Sequence, residues 1–287
     1  MSQNLTTVKK RIKTISSTKK ITNSMKLVSS IKSRKLGNEF KTNTEFYNEL
    51  VELFNGAIYF DDYKKSANLD SIYLKENDVD KNLYIVVLSN LGLCGSYNSE
   101  IYKYLKPTLN KNDEIVFVGK KCFSYFKNEY KHYDMFLELN HKRDIEEINL
   151  LVTFLLNKYE SNEYKQIKIV YSHYINSLVF KPSVRQLLPL ELKVKKYSQG
   201  YDPIYESSKE EFIKGFVPQY LKNIILHSLL ESALCEETNR RNSMDNANQN
   251  IEEIMGTLQI EYNKARQASI TQEITEIVSG ANAIKND

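Results

Sequence analysis

The residues best suited to chemistry form one glycine-rich stretch, LSNLGLCGSYN, at positions 88–98. A turn of this kind between a strand and a helix can hold a phosphate against the helix N-terminus. The stretch lacks the Lys-Ser/Thr pair of a P-loop and the third glycine of a dinucleotide fingerprint, although it contains Gly92 and Gly95. It therefore predicts a tight structural turn and no nucleotide or other cofactor site.

Cys94, in the same stretch, has the chemistry of a nucleophile placed at a sharp turn. A nucleophilic thiol needs a base, and no histidine has a neighbourhood that marks it as one. Nor does any His, Cys, Asp and Glu cluster have metal-ligand spacing. We predict a small buried thiol and no metal site, and keep as the alternative a soluble α/β enzyme that uses Cys94 and carries a helical dimerisation arm. The four histidines are scattered at His132, His141, His173 and His227.

Length and composition describe a globular chain. It has 287 residues, of which 41% are hydrophobic, enough for about two domains and at least one core. The mean hydropathy is -0.49, and no apolar run approaches the roughly 18 residues of a membrane span, so we expect any membrane link to come through partners. The isolated cysteines, without a secretory h-region, predict a reducing, cytoplasmic setting. They are Cys94, Cys122 and Cys235.

The first 38 residues are strongly basic, with ten lysines and arginines and no acidic residue. Composition alone leaves three interpretations open: an organelle transit peptide, a helix that binds nucleic acid or membrane, and one strand of a coiled coil. No basic patch is interleaved with aromatic residues, which disfavours nucleic acid.

Periodicity favours the coiled coil. The first proline is Pro107 and the first glycine is Gly37, so a helix can run from about Thr6 to about Phe54. Apolar residues within it have the 3-4 spacing of a heptad seam, which we predict to resume after a phase slip. The first group is Leu5, Val8, Ile12 and Ile15, and the second is Ile21, Met25 and Val28.

The C-terminal end has the same character. After Pro218 the chain contains no proline and only two glycines, which permits a helix of about 60 residues. Its 3-4 spacing predicts an antiparallel coiled coil with the N-terminal helix. The predicted seam residues are Met244, Ala247, Ile251, Ile254, Leu258 and Ala265.

The middle of the chain predicts an α/β domain with a Rossmann-like, open and mainly parallel sheet. The predicted strands are residues 82–89, 114–119 and 166–174, and the predicted helices are 99–105, 121–130 and 145–159. This gives five segments: an N-terminal long helix at 1–58, a polar loop at 59–81, the α/β domain at 82–194, a polar linker at 195–211, and a C-terminal long helix at 212–287.

Three stretches together resemble the gamma subunit of the F-type rotary ATP synthase, of the bacterial type. They are KKITNSMKLVSSIKSRK at 19–35, LGLCGSYN at 91–98 and ARQASITQEITEIVSGA at 265–281, in the family's order and at similar positions. The resemblance spans the whole chain, and the C-terminal stretch is the most specific. The sequence departs from the family pattern at Asn90, at Asp245 and at Asn248 to Asn250.

The resemblance implies a coiled-coil shaft with a Rossmann-like domain, and a central rotor stalk that has no catalytic site. Such a rotor couples ion flow through a membrane c-ring to conformational cycling of catalytic alpha and beta subunits, in ATP synthesis or hydrolysis. The sequence does not decide whether the coupling ion is H⁺ or Na⁺. The positions that match family contacts with the alpha/beta ring are Met25, Lys26, Glu236, Arg240, Arg266, Gln267, Thr271, Glu273 and Glu276.

The resemblance also implies a foot that binds the epsilon subunit and the c-ring. Tyr205 and Glu206, in PIYESS, match the family's loop directed at that ring. The implied location is the cytoplasmic face of the bacterial inner membrane, as a peripheral subunit attached through its partners.

Overall fold

The computed structural model describes residues 5–62, 72–139, 145–190 and 209–285. Two long helices enclose an α/β region in chain order. The elements are α1 (Leu5–Asp62), β1 (Asn82–Val87), α2 (Tyr97–Leu105), β2 (Glu114–Val118), α3 (Cys122–Phe126), β3 (Lys131–Tyr133), α4 (Ile145–Glu160), β4 (Gln166–Tyr174), β5 (Phe180–Leu188) and α5 (Lys209–Lys285). No helix within the described residues is long and apolar enough to cross a membrane.

The chain divides into two compact units, and both long helices contribute to each. The coiled-coil unit comprises Met1–Ser29 and Arg241–Asp287, and the sheet unit comprises Ser30–Arg240. The helices extend further than the sequence predicted, since α1 ends at Asp62 and α5 begins at Lys209, with Pro218 inside it. The polar linker predicted at 195–211 lies outside the described residues apart from the start of α5, and the five-segment division stays a prediction.

The sheet unit contains a five-stranded sheet in the order β3-β2-β1-β4-β5. All neighbouring strands are parallel except β4 and β5, which form an antiparallel pair. The predicted open, mainly parallel sheet and its strands β1, β2 and β4 are confirmed. The sequence analysis missed the edge strands. β3 has only three residues, and β5 carries Pro182 and alternating polar side chains, which edge strands tolerate.

Both faces of the sheet are covered, as its near-continuous apolar strands require. On β1, Leu83, Ile85 and Val87 point to one side and pack with α4 and the N-terminal part of α5. The residues between them, together with Leu88, point to the other side and pack with α2 and α3. The sheet therefore fixes where its loops emerge, including the glycine-rich turn that follows β1.

The coiled-coil unit contains an antiparallel helix pair. As the residue number rises along α1 from Lys19 to Thr22 and Lys26, the number of the contacted residue on α5 decreases. The two helices are therefore antiparallel. The partners on α5 are Glu252, Asn248 and Asp245, respectively. The predicted antiparallel coiled coil is confirmed.

The seam of that coiled coil differs from the prediction in one respect. It continues from Ile15 without a phase slip, through partly or fully buried polar side chains at Lys19, Thr22, Lys26 and Ser29. Ile21 and Val28, which we predicted in the seam, are 61% and 51% exposed, and the predicted Ile254 is also exposed. These three assignments were wrong because the seam was traced through apolar residues alone. Met25, Ala247 and Ala265 are partly buried, and Met244, Ile251 and Leu258 are buried.

Two valines on α1 test the corrected seam. We expect Val8→Ala to lower the free energy of unfolding by about 1–2 kcal/mol, because Val8 is fully buried. Val28→Ala should change it by less than about 0.5 kcal/mol, since half of that side chain is in solvent. Thermal unfolding of the full chain, followed by circular dichroism, measures both. Equal losses would contradict the corrected seam.

Candidate functional site

The glycine-rich turn joins β1 to α2 and is closed by side-chain hydrogen bonds. The Ser89 backbone N–H donates to Asn98 Oδ1 at 3.0 Å, and Asn98 Nδ2 donates to Ser89 Oγ at 2.7 Å. Ser89 Oγ in turn donates to the carbonyl of Leu91 at 2.7 Å. Gly95 has a φ of 59°, a left-handed conformation that glycine adopts without strain. These bonds engage the side chains of Ser89 and Asn98 within the turn.

The Cys94 thiol lies inside this turn and is buried. Its sulfur is 3.7 Å from Ser89 Oγ and 3.4 Å from Asn98 Nδ2. Burial raises the pKa of Cys94 above its usual value, which disfavours the nucleophilic thiolate. The hydrogen-bond partners of this thiol are Ser89, Leu91 and Asn98, and in the described part of the chain no group of three or more His, Cys, Asp and Glu could hold a metal ion.

Arg240 ties the turn to α5 in the sheet unit. Its guanidinium donates to the carbonyls of Gly92 at 3.3 Å and Leu91 at 3.5 Å. It also binds the carboxylate of Glu236, and its Nη1 lies 3.0 Å from a carboxylate oxygen of Glu237. Burial raises the pKa of Glu236, while Arg240 opposes that shift. The structure thus brings together Gly92 of the glycine-rich turn with Glu236 and Arg240, which the sequence analysis matched to ring contacts.

This arrangement bears on the ring contacts predicted for Glu236 and Arg240. The Arg240 side chain is only 5% exposed and is engaged within the chain by four groups. Glu236 shares that internal network. Contact of these two residues with a partner stays a prediction, and their geometry favours a role inside the sheet unit.

His227 on α5 packs against α1 in the sheet unit. Its ring stacks on those of Tyr47 and Phe40, with centroids 4.5 and 5.0 Å apart, and its Nδ1–H donates to Asn43 Oδ1 at 3.0 Å. Burial, aided by the positive charge of Arg185, lowers the pKa of His227 from 6.5 to about 4. The imidazole, which lies between the two helices, is therefore neutral at pH 7.

The lowered pKa of His227 predicts acid sensitivity. The unfolded chain takes up a proton at this position near pH 6.5 and the folded chain only near pH 4, so stability falls as the pH drops through that window, by up to about 3 kcal/mol. In His227→Gln the fall over the same window should be smaller. Urea unfolding at several pH values measures the two slopes, and identical slopes would contradict the prediction.

The C-terminal stretch of α5 has a different environment, in which every described side chain from Ile270 to Ala281 is exposed. Thr271 Oγ1 donates to the Gln267 carbonyl at 2.9 Å, and Gln272 Nε2 donates to a Glu276 carboxylate oxygen at 2.9 Å, both within the helix. Arg266 and Glu273 are also exposed. The five polar residues of this segment that match ring contacts are thus all exposed and available to a partner.

Sequence analysis missed an apolar stripe on this same segment. Ile270, Ile274 and Ile277 recur at helical spacing, with Val278 beside them, and Ile277 is 70% exposed. Such a stripe on a helix normally faces a partner. The 3.6-residue periodicity was present in the sequence, and a search for an apolar face in the last turns of the helix would have found it.

The first half of α1 shows a similar pattern in the coiled-coil unit. Lys26, matched to a ring contact, binds Asp245 of the same chain, and Met25 is partly buried. Exposed apolar side chains lie beside them instead, at Ile21, Leu27 and Val28. Tyr205 and Glu206, the residues matched to the foot, lie outside the described part of the chain.

Comparison with known proteins decides what kind of chain carries these features. A family model described as ATP synthase matches residues 4–284. The ATP synthase gamma chain of Malacoplasma penetrans is 38% identical over 289 residues, which cover 96% of this chain and 98% of the relative. The chain belongs to the ATP synthase gamma-chain family. The gamma chain of Mesoplasma florum agrees, with 37% identity over 290 residues, 98% of this chain and 99% of that one.

Solved structures show the same fold in this family. A chain of the Euglena gracilis mitochondrial ATP synthase matches with a TM-score of 0.66 at 19% identity, covering 98% of this chain and 94% of that one. A central-stalk chain of the Tetrahymena thermophila enzyme matches with a TM-score of 0.56 at 20% identity, over 79% and 99% of the two chains. The resemblance seen in the sequence is confirmed: this is a central-stalk gamma subunit, a non-catalytic part of the F-type ATP synthase complex. An enzyme built on Cys94 is thereby set aside.

Proposed function

We propose that this chain is the rotor of a ring of alternating alpha and beta subunits. Its rotation forces each catalytic site through open and closed states, and so couples ion flow through a c-ring to ATP synthesis or hydrolysis. Nucleotide chemistry belongs to the ring. The observation that carries the proposal is the end of α5, where an apolar stripe and a row of polar side chains are both exposed.

The two kinds of side chain at that end have complementary roles. Burial of one Ile side chain contributes about 1.5–3 kcal/mol, so enclosure of Ile270, Ile274 and Ile277 by the ring favours insertion of the helix. Arg266, Gln267 and Thr271 offer hydrogen bonds to a surrounding loop, and Glu273 and Glu276 add acceptors. A rotor needs such an interchangeable set of contacts because it meets successive copies of the same subunits.

A second contact surface is supported on the outer side of the coiled-coil unit. Ile21, Leu27 and Val28 are exposed beside Met25, while the polar Thr22 and Lys26 pair with α5 in the seam. Apolar residues outside and polar residues inside are the reverse of an isolated coiled coil. We assign this outer surface to contact with the ring, and we assign Glu236 and Arg240 to the internal clamp on the glycine-rich turn.

We also propose that a foot containing Tyr205 and Glu206 contacts the c-ring, with the epsilon subunit bound beside it. The family resemblance supports this assignment, and the similar Tetrahymena thermophila chain comes from a structure of a central stalk with a c-ring. It implies a peripheral position at the cytoplasmic face of the inner membrane, held there through partner subunits.

Reconstitution tests the proposal. Purified chain is mixed with alpha and beta subunits, and MgATP hydrolysis is measured for the wild type and for Arg266→Ala combined with Gln267→Ala. We expect hydrolysis to depend on the chain and to fall roughly tenfold in the double variant, equivalent to about 1.4 kcal/mol, with assembly intact.

A matched control removes the same two residue types elsewhere. Arg34→Ala combined with Gln219→Ala changes exposed residues of the sheet unit and should leave hydrolysis unchanged. Full activity of the Arg266/Gln267 variant in an assembled ring would remove the proposed upper contact, and failure of the wild-type chain to assemble or to stimulate hydrolysis would remove the rotor itself.

A further inference from the structure

Six polar side chains pair across the coiled-coil unit, four of them at seam positions and two, Asp245 and Glu252, beside the seam. Lys19 Nζ lies 2.9 Å from a Glu252 carboxylate oxygen, and Lys26 binds Asp245. Between them, Thr22 Oγ1 donates to Asn248 Oδ1. We call these three pairs the polar block. Every member on α1 is a donor and every member on α5 is an acceptor.

Lys19, Thr22, Lys26 and Asn248 occupy positions that apolar residues would fill in an ordinary seam. Asn248 is only 6% exposed and lies between the buried Met244 and Ile251 on the same helix. Its Nδ2 is buried and has no hydrogen-bond partner among the described residues. A buried amide that is only half satisfied destabilises the helix pair, so stability does not explain why it is there.

Hydrogen bonds and ion pairs between particular residues fix one alignment of the two helices, which apolar contacts do not. Leucine or isoleucine layers pack almost as well after a shift along the seam, whereas a buried polar residue is satisfied only opposite its own partner. A shift of one heptad would set Thr22 against Met255 and Lys19 against Gln259. Two of the three pairs would then be lost.

We propose that the polar block is a register lock that prevents α1 and α5 from sliding past each other in the coiled-coil unit. Asn248 is the positioning residue at its centre. This role rests on the proposed rotor function, because a shaft under torque experiences shear between its two helices. The two ion pairs, Lys19–Glu252 and Lys26–Asp245, flank the Thr22–Asn248 pair on either side. The buried Thr22–Asn248 pair is the contact that forms in only one alignment of the helices.

Spin labels on the full chain test the register directly. Cysteines at the exposed positions 13 and 259, introduced as Lys13→Cys and Gln259→Cys, carry the labels, while the native Cys94, Cys122 and Cys235 are buried. We expect one narrow distance distribution with the natural block. In Thr22→Leu combined with Asn248→Leu, the distribution should widen by about twofold or gain a second distance, as apolar seams lose alignment, while the Tm stays equal or rises.

A swapped variant, Thr22→Asn combined with Asn248→Thr, separates alignment from packing. It keeps one polar pair at the same layer and should retain the narrow distribution. An unchanged distribution in the leucine variant would overturn the proposal. A lower Tm in the leucine variant would also overturn it, because the block would then supply stability and not register.

Reconstitution with the ring and the membrane sector adds a functional readout. The leucine variant should hydrolyse MgATP but move fewer ions per ATP than the wild type, because a sliding shaft transmits less of each step. Complete coupling in that variant would count against the lock. A wild-type chain that supports no hydrolysis would instead refute the proposed function, while the distance measurement would still decide the register.

Discussion

Replacement of Gly119 by alanine should destabilise the chain by more than about 4 kcal/mol. Gly119 follows β2 with a φ of 95°, which is strained for any residue with a Cβ. An added Cβ would lie 2.0 Å from the backbone carbonyl oxygen of Leu88 and 3.2 Å from that of Ser89. Because both atoms belong to the backbone that follows β1, neither can rotate away as a side chain would.

The same site shows why relaxation would be expensive. The Leu88 N–H donates to the Val118 carbonyl at 2.9 Å, and the Lys121 N–H donates to the Ser89 carbonyl at 3.0 Å. Movement of this segment would break these bonds and open the glycine-rich turn. Urea unfolding of the purified chain, followed by circular dichroism, measures the loss.

A second glycine provides the matched control. Gly256 lies in α5 with nothing within 4 Å of an added Cβ, so Gly256→Ala should stabilise by about 0.5–1 kcal/mol through helix propensity. If Gly119→Ala unfolds within about 1 kcal/mol of the wild type, the packing of the strand ends described above is incorrect.

Loss of the Arg240 guanidinium should have the second largest effect. Arg240→Met keeps most of the side-chain volume but leaves the carboxylates of Glu236 and Glu237 without their buried cation. Breaking a buried ion pair from one side costs about 3–5 kcal/mol. The carbonyls of Leu91 and Gly92 would lose their donor as well.

The pH dependence of the stability of Arg240→Met tests whether the unpaired Glu236 carboxylate causes the loss. Burial already raises the pKa of Glu236, and removal of Arg240 would raise it further. A carboxyl group whose folded pKa is raised contributes stability below its unfolded pKa and loses it as the pH rises through the folded value. The deficit of Arg240→Met relative to the wild type should therefore be smallest in acid and grow toward neutral pH.

The control for this variant is the adjacent arginine. Arg241 hydrogen-bonds the side chain of Asn242 and is partly exposed, so Arg241→Met should cost less than about 1 kcal/mol at every pH. Equal losses for the two variants, or a deficit for Arg240→Met that is constant with pH, would contradict the clamp.

The sheet was predictable because its central strands obey a simple rule. β1, β2 and β4 are apolar runs buried on both faces, and such runs are typical of parallel strands under helices. β5 was missed for two reasons. It is an edge strand that pairs only with β4, and Pro182 within it argues against a strand when the sequence is considered alone.

The seam was predictable only where it is apolar. Val8 and Leu258 follow the heptad pattern, whereas Lys19 and Thr22 occupy seam positions that only their partners on α5 make favourable. Similarly, the spacing of Glu236 and Arg240 indicates a pair within the helix, but nothing in the sequence indicates that the guanidinium also binds the turn after β1. Sequence patterns predict contacts within one helix or strand, and they do not predict contacts between residues far apart in the chain.

Rotation of this chain within the ring is the central claim, and single-molecule observation tests it most directly. With Lys111→Cys, a probe is attached to an exposed loop of the sheet unit, since the native cysteines are buried, and the alpha/beta ring is fixed to a surface. The prediction is rotation of the probe in one direction that starts with MgATP and stops when MgATP is removed. Hydrolysis by the assembled ring while the probe keeps a fixed orientation would contradict it.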